Sequence, residues 1–385
     1  GGGSAACPAG DLGAALGRAN LLVGGAMEDA DFAAAPFGLR YRYLAGAVPT
    51  GGPCASCATG CTVNGADCSN AAGCEWWGCW QWDQEPPGRY VANNITADEA
   101  AGAVPMFTYY VWLAASGYNE GMAEVTALSD GAVAQAYLAD WRFFQQTIAA
   151  STSGPVIVHL EPDFWGYGEQ AAADPEAIPA AVAAAGAAEC AAEPDTMGGF
   201  ARCMVDVARA EAPNALLGFH ASAWGAGYDA YLDNGPGFDR TAHADTTAAW
   251  LAALGAGAAD LLVVEQSDRD AGFNGRWWDA TNATLPDFTM ALSWTSRVAG
   301  DLGLPLLWWQ VPYGHVGLED ICDRYQDNRV DYFFDHPEEY AAAGALGIAF
   351  GAGAGCMTTP ATDDGWFVMR ASTYLAGPGT PLCGP

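Results

Sequence analysis

The stretch P-V-I-V-H-L-E-P-D, residues 155–163, is a short apolar segment that ends in three polar side chains. Its β-branched residues predict a buried strand. Side chains alternate between faces along a strand, so His159, Glu161 and Asp163 are expected to share one face. Carboxylates at the carboxyl end of an apolar strand are typical of the active-site rim of a β/α barrel. The alternative is that they cap a helix or form a salt bridge.

Seven further short apolar runs continue this pattern, separated by Ala-rich stretches with helical character. Strands are predicted at Leu21–Ala26, Arg40–Ala45, Val104–Tyr110, Pro155–Glu161, Ala215–Ser222, Asp260–Glu265, Leu304–Val311 and Ala345–Gly351. Alternating strands and helices indicate parallel βαβ units, and eight units predict a (β/α)8 TIM-like barrel. The short link between the first two runs leaves a distorted or seven-stranded barrel open. A doubly wound sheet is the other alternative, although no G-x-G-x-x-G follows the first run.

The 385 residues are predicted to form a single barrel domain, 1–385, with an insertion after the second strand. Residues 47–90 form this Cys- and Trp-rich insertion, which is too long for an ordinary βα loop. The Ala-rich stretch 171–200 is predicted to be helical.

The twelve cysteines predict disulfide bonds and a secreted, extracellular protein, because their number is even and six cluster within 26 residues. All twelve are predicted to be bonded: Cys7, Cys54, Cys57, Cys61, Cys68, Cys74, Cys79, Cys190, Cys203, Cys322, Cys356 and Cys383. The six clustered cysteines, from Cys54 to Cys79, are expected to pair among themselves. Cys7–Cys383 and Cys190–Cys203 are candidate pairs. A zinc or iron–sulfur site in the cluster is the alternative. No signal peptide is visible, so a mature form is expected.

Charge and composition exclude several classes of function. A formal net charge of −31 argues against nucleic acid and anionic membranes as partners. No apolar run approaches the roughly 20 residues that cross a bilayer. All 14 basic residues are Arg, so Schiff-base aldolases, pyridoxal-phosphate enzymes and P-loop nucleotidases are excluded. We predict a monomer without a cofactor or bound metal.

Polar and aromatic side chains end the other predicted strands as well. The predicted substrate-binding residues are Tyr109, Tyr110, His159, Trp165, His220, Trp224, Asp268, Trp309, Gln310 and Asp364. Aromatic faces pack on sugar rings, while carboxylate, amide and imidazole groups bind hydroxyls. This set of side chains therefore predicts a polysaccharide or oligosaccharide as the substrate.

Two carboxyl groups that flank a cleft are the minimum for glycosidic cleavage. Asp163 is the predicted general acid, with Glu161 or Glu265 as its partner. A non-catalytic carbohydrate-binding barrel is one alternative. A metal-dependent hydrolase that uses His159, Glu161 and Asp163 is another. A serine nucleophile is disfavoured, because no G-x-S-x-G elbow is present.

Three segments resemble glycoside hydrolase family 6, the cellobiohydrolases and endoglucanases. V-I-V-H-L-E-P-D-F at 156–164 is similar to the family's strand that ends in E-P-D, whose Asp is the general acid and corresponds to Asp163. The segments at 104–110 and 114–121 resemble the family's V-P-x-x-x-Y-D strand and A-x-x-S-N-G-E loop, and 216–225 resembles Y-L-D-A-G-H-A-G-W. The resemblance implies a secreted hydrolase that cleaves a β-glucan such as cellulose with inversion.

The sequence also departs from the family 6 pattern. Asp364 with its following glycine occupies the place of the family's E-S-D-G, but the lysine of the terminal motif is absent. Tyr110 begins the segment where an Asp-bearing loop is expected, and Phe219 or His220 replaces the Asp of Y-L-D. The second carboxylate of the mechanism therefore has no counterpart by motif.

Overall fold

A computed structural model describes residues 7–46, 48, 61–63, 66–68, 80–81, 86–117, 119–266 and 269–383, with the backbone alone for 61–63 and 66–68. The strands are β1 Leu22–Gly25, β2 Leu39–Leu44, β3 Cys61–Val63, β4 Ala66–Cys68, β5 Val104–Tyr109, β6 Val156–Leu160, β7 Ala215–His220, β8 Leu261–Glu265, β9 Leu306–Val311 and β10 Ala345–Phe350. Eight of them close into a parallel barrel in the order β1-β10-β9-β8-β7-β6-β5-β2, and β3 pairs with β4 in an antiparallel sheet.

Fifteen α-helices lie within the described ranges. They are α1 Pro8–Ala15, α2 Asp29–Phe32, α3 Arg89–Ala100, α4 Trp112–Ala115, α5 Met122–Ala127, α6 Gly131–Ser151, α7 Phe164–Ala171, α8 Val182–Ala185, α9 Met197–Glu211, α10 Arg240–Leu254, α11 Ala271–Asn274, α12 Phe288–Leu302, α13 Arg329–Asp335, α14 Pro337–Ala342 and α15 Trp366–Leu375. Short 3-10 helices lie at Pro175–Ala177, Ala188–Cys190 and Ala256–Ala258. None of these helices is long and apolar enough to cross a membrane.

The predicted (β/α)8 barrel is confirmed, and all eight predicted strands are present. The seven-stranded and open-sheet alternatives are wrong. The short link after β1 holds only the single-turn helix α2, so β1 and β2 are adjacent in the barrel. Gly24 allows their close approach, because a Cβ at that position would lie 1.8 Å from the Leu39 carbonyl oxygen.

Apolar side chains form one core inside the barrel and a larger one between the strands and the helices. The inner core includes Leu39, Met106, Ile157 and Leu307. The outer core packs the other face of the same strands against the helices. Because the strands are parallel, their carboxyl ends meet at one rim, where the predicted site residues were expected.

Three disulfides lie within the described chain. Cys7 is bonded to Cys383, Cys190 to Cys203 and Cys322 to Cys356, which confirms both candidate pairs. The third bond ties the loop after β9 to the loop after β10, at the rim. The side chains of the six clustered cysteines, and most of the 47–90 insertion, lie outside the described residues.

The prediction of helix over 171–200 is wrong for most of that stretch. The structure has only 3-10 turns and the short helix α8 before α9 begins at Met197. Pro175, Pro179 and Pro194 lack the N–H that a helix interior requires, so the Ala-rich composition does not decide the structure. Helix α9 begins where the Thr196 side chain accepts a hydrogen bond from Gly199 N–H.

Candidate active site

The backbone leaves the regular strand at the carboxyl end of β6. Glu161 and Asp163 have φ angles of +39° and +67°, a region that non-glycine residues adopt at an energetic cost. The alternation of faces therefore stops after Leu160, and the two carboxyl groups diverge. The expectation that His159, Glu161 and Asp163 share one face is wrong.

The carboxyl group of Glu161 is fully buried and turned toward the helices. It accepts hydrogen bonds from the backbone N–H groups of Val111 and Trp112, each at 3.1 Å, and from the Tyr137 hydroxyl at 2.6 Å. Burial raises the pKa of Glu161 to about 8, against the opposing effect of these hydrogen bonds. Glu161 thus holds the start of α4 and helix α6 against the end of β6.

Asp163 lies instead in a cluster at the rim with His220 and Glu265, which end β7 and β8. One carboxylate oxygen of each acid and one ring nitrogen of His220 all lie within 4.8 Å of one another. The imidazole is buried, while both carboxylates are half-buried. Three consecutive strands of the barrel therefore bring two acids and an imidazole together where a ligand can reach the acids.

A hydrogen-bonded chain runs below this rim cluster inside the barrel. His220 Nδ1 lies 3.1 Å from His159 Nε2, and His159 Nδ1 lies 3.3 Å from the Thr108 hydroxyl. Burial lowers the pKa of His159 well below its usual range and that of His220 to about 3. Both rings are consequently neutral near pH 7. His220 Nε2 has no hydrogen-bond partner among the described residues.

Three tyrosines lie near the two rim carboxylates. Burial and the charges of Asp163 and Glu265 raise the pKa of Tyr43, on β2. Burial and the charge of Asp163 raise the pKa of Tyr110, and burial and the charge of Glu265 raise the pKa of Tyr231. All three are therefore neutral phenols.

Tyr43 and Tyr231 were not predicted from the sequence. For Tyr43 the pattern R-Y-R-Y at 40–43 contained a usable signal, since alternate residues of β2 face inward. Tyr231 lies in a loop without such a pattern.

Three of the predicted substrate-binding aromatics are buried. The hydroxyl of Tyr109 donates to Asp140 at 2.7 Å in the helix layer, so this side chain faces away from the barrel axis. Trp165 packs on Phe219, and its indole N–H donates to the Leu160 carbonyl at 3.0 Å. Trp309 lies inside the barrel with its ring centroid 4.6 Å from that of His159, beneath the rim cluster.

The remaining predicted residues have different placements. Gln310 is buried, and its side-chain amide donates to the Tyr43 hydroxyl. Trp224 is half-buried and packs against Tyr167 in a tilted arrangement, with ring centroids 4.9 Å apart. Asp364 is exposed and paired with Arg324 at 2.8 Å, which lowers the pKa of its carboxyl. Asp268 lies outside the described residues.

The ligand set predicted for the metal-dependent alternative does not assemble. Glu161 is turned away, and His159 is engaged by Thr108 and His220. Within the described ranges, the rim cluster of Asp163, His220 and Glu265 is the one group of three or more acidic, His or Cys side chains with metal-binding spacing.

No protein-family model and no curated protein sequence matches this chain. Solved structures that are similar to it include the following two. One is a modular endo-β-1,4-mannanase of glycoside hydrolase family 26 from Cellulomonas fimi, with 16% identity, a TM-score of 0.44, and coverage of 78% of this chain and 62% of that chain. The other is GH26C from Muricauda sp. MAR_2010_75, with 10% identity, a TM-score of 0.49, and coverage of 98% and 90%.

This chain thus spans less than two thirds of the mannanase's length. The resemblance to glycoside hydrolase family 6 is not confirmed, because both structures carry the designation of family 26.

Proposed function

We propose that this protein is a glycoside hydrolase that cleaves a polysaccharide. The observation that carries the proposal is the pair of half-buried carboxylates, Asp163 and Glu265, with oxygens within 4.8 Å at the carboxyl rim of a β/α barrel. Glycosidic cleavage needs two carboxyl groups that flank the bond that breaks. Glu161, whose oxygens are occupied by Val111, Trp112 and Tyr137, is not part of this pair.

The separation supports a double-displacement mechanism with retention. Carboxyl groups of retaining enzymes lie about 5–5.5 Å apart, and those of inverting enzymes about 6.5–9.5 Å apart. Asp163 gives its proton to the leaving oxygen while the Glu265 carboxylate attacks the anomeric carbon and forms a glycosyl ester. Water then attacks that carbon and returns a proton to Asp163, and Glu265 leaves. This proposal replaces the inversion implied by the family 6 resemblance.

The surroundings of the pair suit a neutral, hydroxyl-rich ligand. Tyr43, Tyr110 and Tyr231 present neutral phenols near the carboxylates. Trp224, half-buried in the loop after β7, offers an aromatic side chain for a sugar ring. A β-glucan is the substrate implied by the family 6 motifs, and β-1,4-mannan is the substrate named for one structural neighbour. Both belong in the first substrate screen, together with xylan and chitin.

The three disulfides support secretion, because such bonds persist in oxidising compartments. A secreted enzyme that acts alone on an extracellular polysaccharide is consistent with this, and we propose a monomer.

The test is hydrolysis by the wild type and two isosteric variants. Asp163→Asn should lose most activity on polysaccharide but much less on an aryl glycoside with a good leaving group, which needs little protonation. Glu265→Gln should lose activity on both, because it removes the nucleophile. NMR of the first product should show the anomeric configuration of the substrate. Binding of glycans without cleavage by the wild type, or near-normal polysaccharide cleavage by Asp163→Asn, would overturn the proposal.

A further inference from the structure

The rim cluster has a second chemical capacity beyond acid and nucleophile. We propose that Asp163, His220 and Glu265 bind a divalent transition-metal ion of the Zn²⁺ type, and that this ion blocks hydrolysis. The binding site is inferred from the cluster itself. The inhibitory effect rests in addition on the proposed glycoside hydrolase function.

The first argument is the unpartnered nitrogen of His220. The side chain is 1% exposed, its Nδ1 faces His159 at 3.1 Å, and its Nε2 has no hydrogen-bond partner among the described residues. A buried polar atom without a partner costs about 1–3 kcal/mol, so such an atom in a ring that has one nitrogen within 4.8 Å of two carboxylates points to a ligand. Since Nδ1 is engaged, Nε2 is the nitrogen available to an ion.

The second argument is the support behind His220. An imidazole that ligates a metal usually donates its other ring N–H to a hydrogen-bond acceptor, which fixes its tautomer and orientation. Here His220 Nδ1–H can donate to His159 Nε2, and His159 Nδ1–H can donate to the Thr108 hydroxyl. In this arrangement the lone pair of His220 Nε2 is free for a metal ion.

The third argument is the donor set and its geometry. Two carboxylates compensate the charge of a dication, and one imidazole with two carboxylate oxygens suits Zn²⁺. Donor atoms at about 2.0–2.2 Å from a tetrahedral ion lie about 3.5 Å apart. The donor atoms now lie up to 4.8 Å apart, so the widest pair must move about 1 Å closer to bind the ion. Rotation of the half-buried acid side chains can supply a shift of this size.

Occupancy by the ion removes both catalytic functions at once. A coordinated Asp163 carboxylate does not hold the proton for the leaving oxygen. The attacking lone pair of Glu265 is shared with the metal. Hydrolysis should stop while the ion is bound and return when a chelator removes it.

The experiment titrates the oxidised full chain with Zn²⁺ by calorimetry. Co²⁺ serves as a spectroscopic substitute, since a thiolate-to-metal charge-transfer band would reveal binding at cysteines. The expected result is binding without a thiolate band, weakened at least about 100-fold by His220→Ala. His159→Asn should weaken it about 10–100-fold, the range found for groups that orient a ligating histidine. His336→Gln is the matched control, because this half-exposed His lies next to Glu339 in another part of the fold.

Melting curves in chelator establish that each variant is folded, and Asp163→Asn replaces His220→Ala if the latter fails to fold. Absence of binding, a thiolate band, or equal affinity in wild type and both variants overturns the site. Calorimetry does not depend on turnover, so the site can stand even if no glycosidase activity is found. Activation of hydrolysis by Zn²⁺ would overturn the inhibitory effect and the carboxylate-only mechanism together.

Discussion

Glu161 and Asp163 are two residues apart at the end of one strand, yet their carboxyl groups lie in different environments. Glu161 is fully buried among the helices, where two backbone N–H groups and the Tyr137 hydroxyl donate to it. Asp163 is half-buried at the rim, within 4.8 Å of His220 and Glu265. The first carboxyl is buried among donors from the protein, and the second is partly exposed beside another acid.

The difference shows what separates a positioning carboxyl from a reactive one. Both residues have left-handed backbone conformations, so strain alone does not distinguish them. The two residues differ in the accessibility of the carboxyl group and in the groups around it. A second acid within reach of Asp163 permits acid and nucleophile roles, whereas the Glu161 oxygens accept hydrogen bonds from Val111, Trp112 and Tyr137. Four predictions test how far this contrast holds.

The largest expected effect is on the rate of polysaccharide cleavage. Asp163→Asn should lower the rate by roughly 10²–10⁴, because it removes a transferable proton and keeps the shape. Glu161→Gln, the matched isosteric change, should lower it by less than about tenfold. Steady-state rates on the same substrate measure both. Equal losses of rate in the two variants would contradict the assignment of different roles to Asp163 and Glu161.

The reverse order is expected for stability. Glu161→Ala leaves the N–H groups of Val111 and Trp112 and the hydroxyl of Tyr137 without their acceptor. We expect a loss of roughly 3–5 kcal/mol in the free energy of unfolding, measured by denaturant titration. Asp163→Ala should cost less than Glu161→Ala, because the Asp163 side chain is only half-buried while that of Glu161 is fully buried. A smaller loss for Glu161→Ala than for Asp163→Ala would contradict the assignment.

Other buried carboxyls extend the comparison to pH. Burial raises the pKa of Glu169 to about 7 and that of Asp140 to about 6. The folded state therefore binds more protons than the unfolded state between about pH 4 and 7, and stability should fall as pH rises through that range. Glu169→Gln should reduce this pH-dependent decrease in the free energy of unfolding by up to about 3 kcal/mol. Melting temperatures from pH 4 to 8 provide the test, and a rise in stability toward pH 7 would be the contrary result.

The smallest expected effect concerns two tryptophans near the rim. Trp224 is half-buried, and Trp224→Ala should weaken glycan binding by about 1 kcal/mol while the fold survives. Trp165 is 1% exposed and packed on Phe219, so Trp165→Ala should instead lower stability. Affinity measurements and melting curves on both variants separate the two roles. Unchanged glycan affinity in Trp224→Ala would show that this residue serves only in packing.

The barrel was predictable because its signal is local and repeated. Each strand is a short apolar run, such as Val156–Leu160, and the alternation with helical stretches implies parallel strands. Even the brief link before β2, which left the strand number open, is explained by a single turn of helix, α2. The 171–200 stretch was mispredicted, because three prolines outweigh Ala-rich composition there.

The amino-acid sequence by itself determined the (β/α)8 class and the placement of Asp163, His220 and Glu265 at strand ends, since both follow from periodicity along the chain. Only the tertiary structure decided which of these side chains meet. The left-handed backbone at Glu161 turned its carboxyl toward α4 and α6, and barrel closure brought Tyr43 near the acids. Such contacts depend on backbone torsions at single residues and on the register between distant strands, which periodicity does not encode.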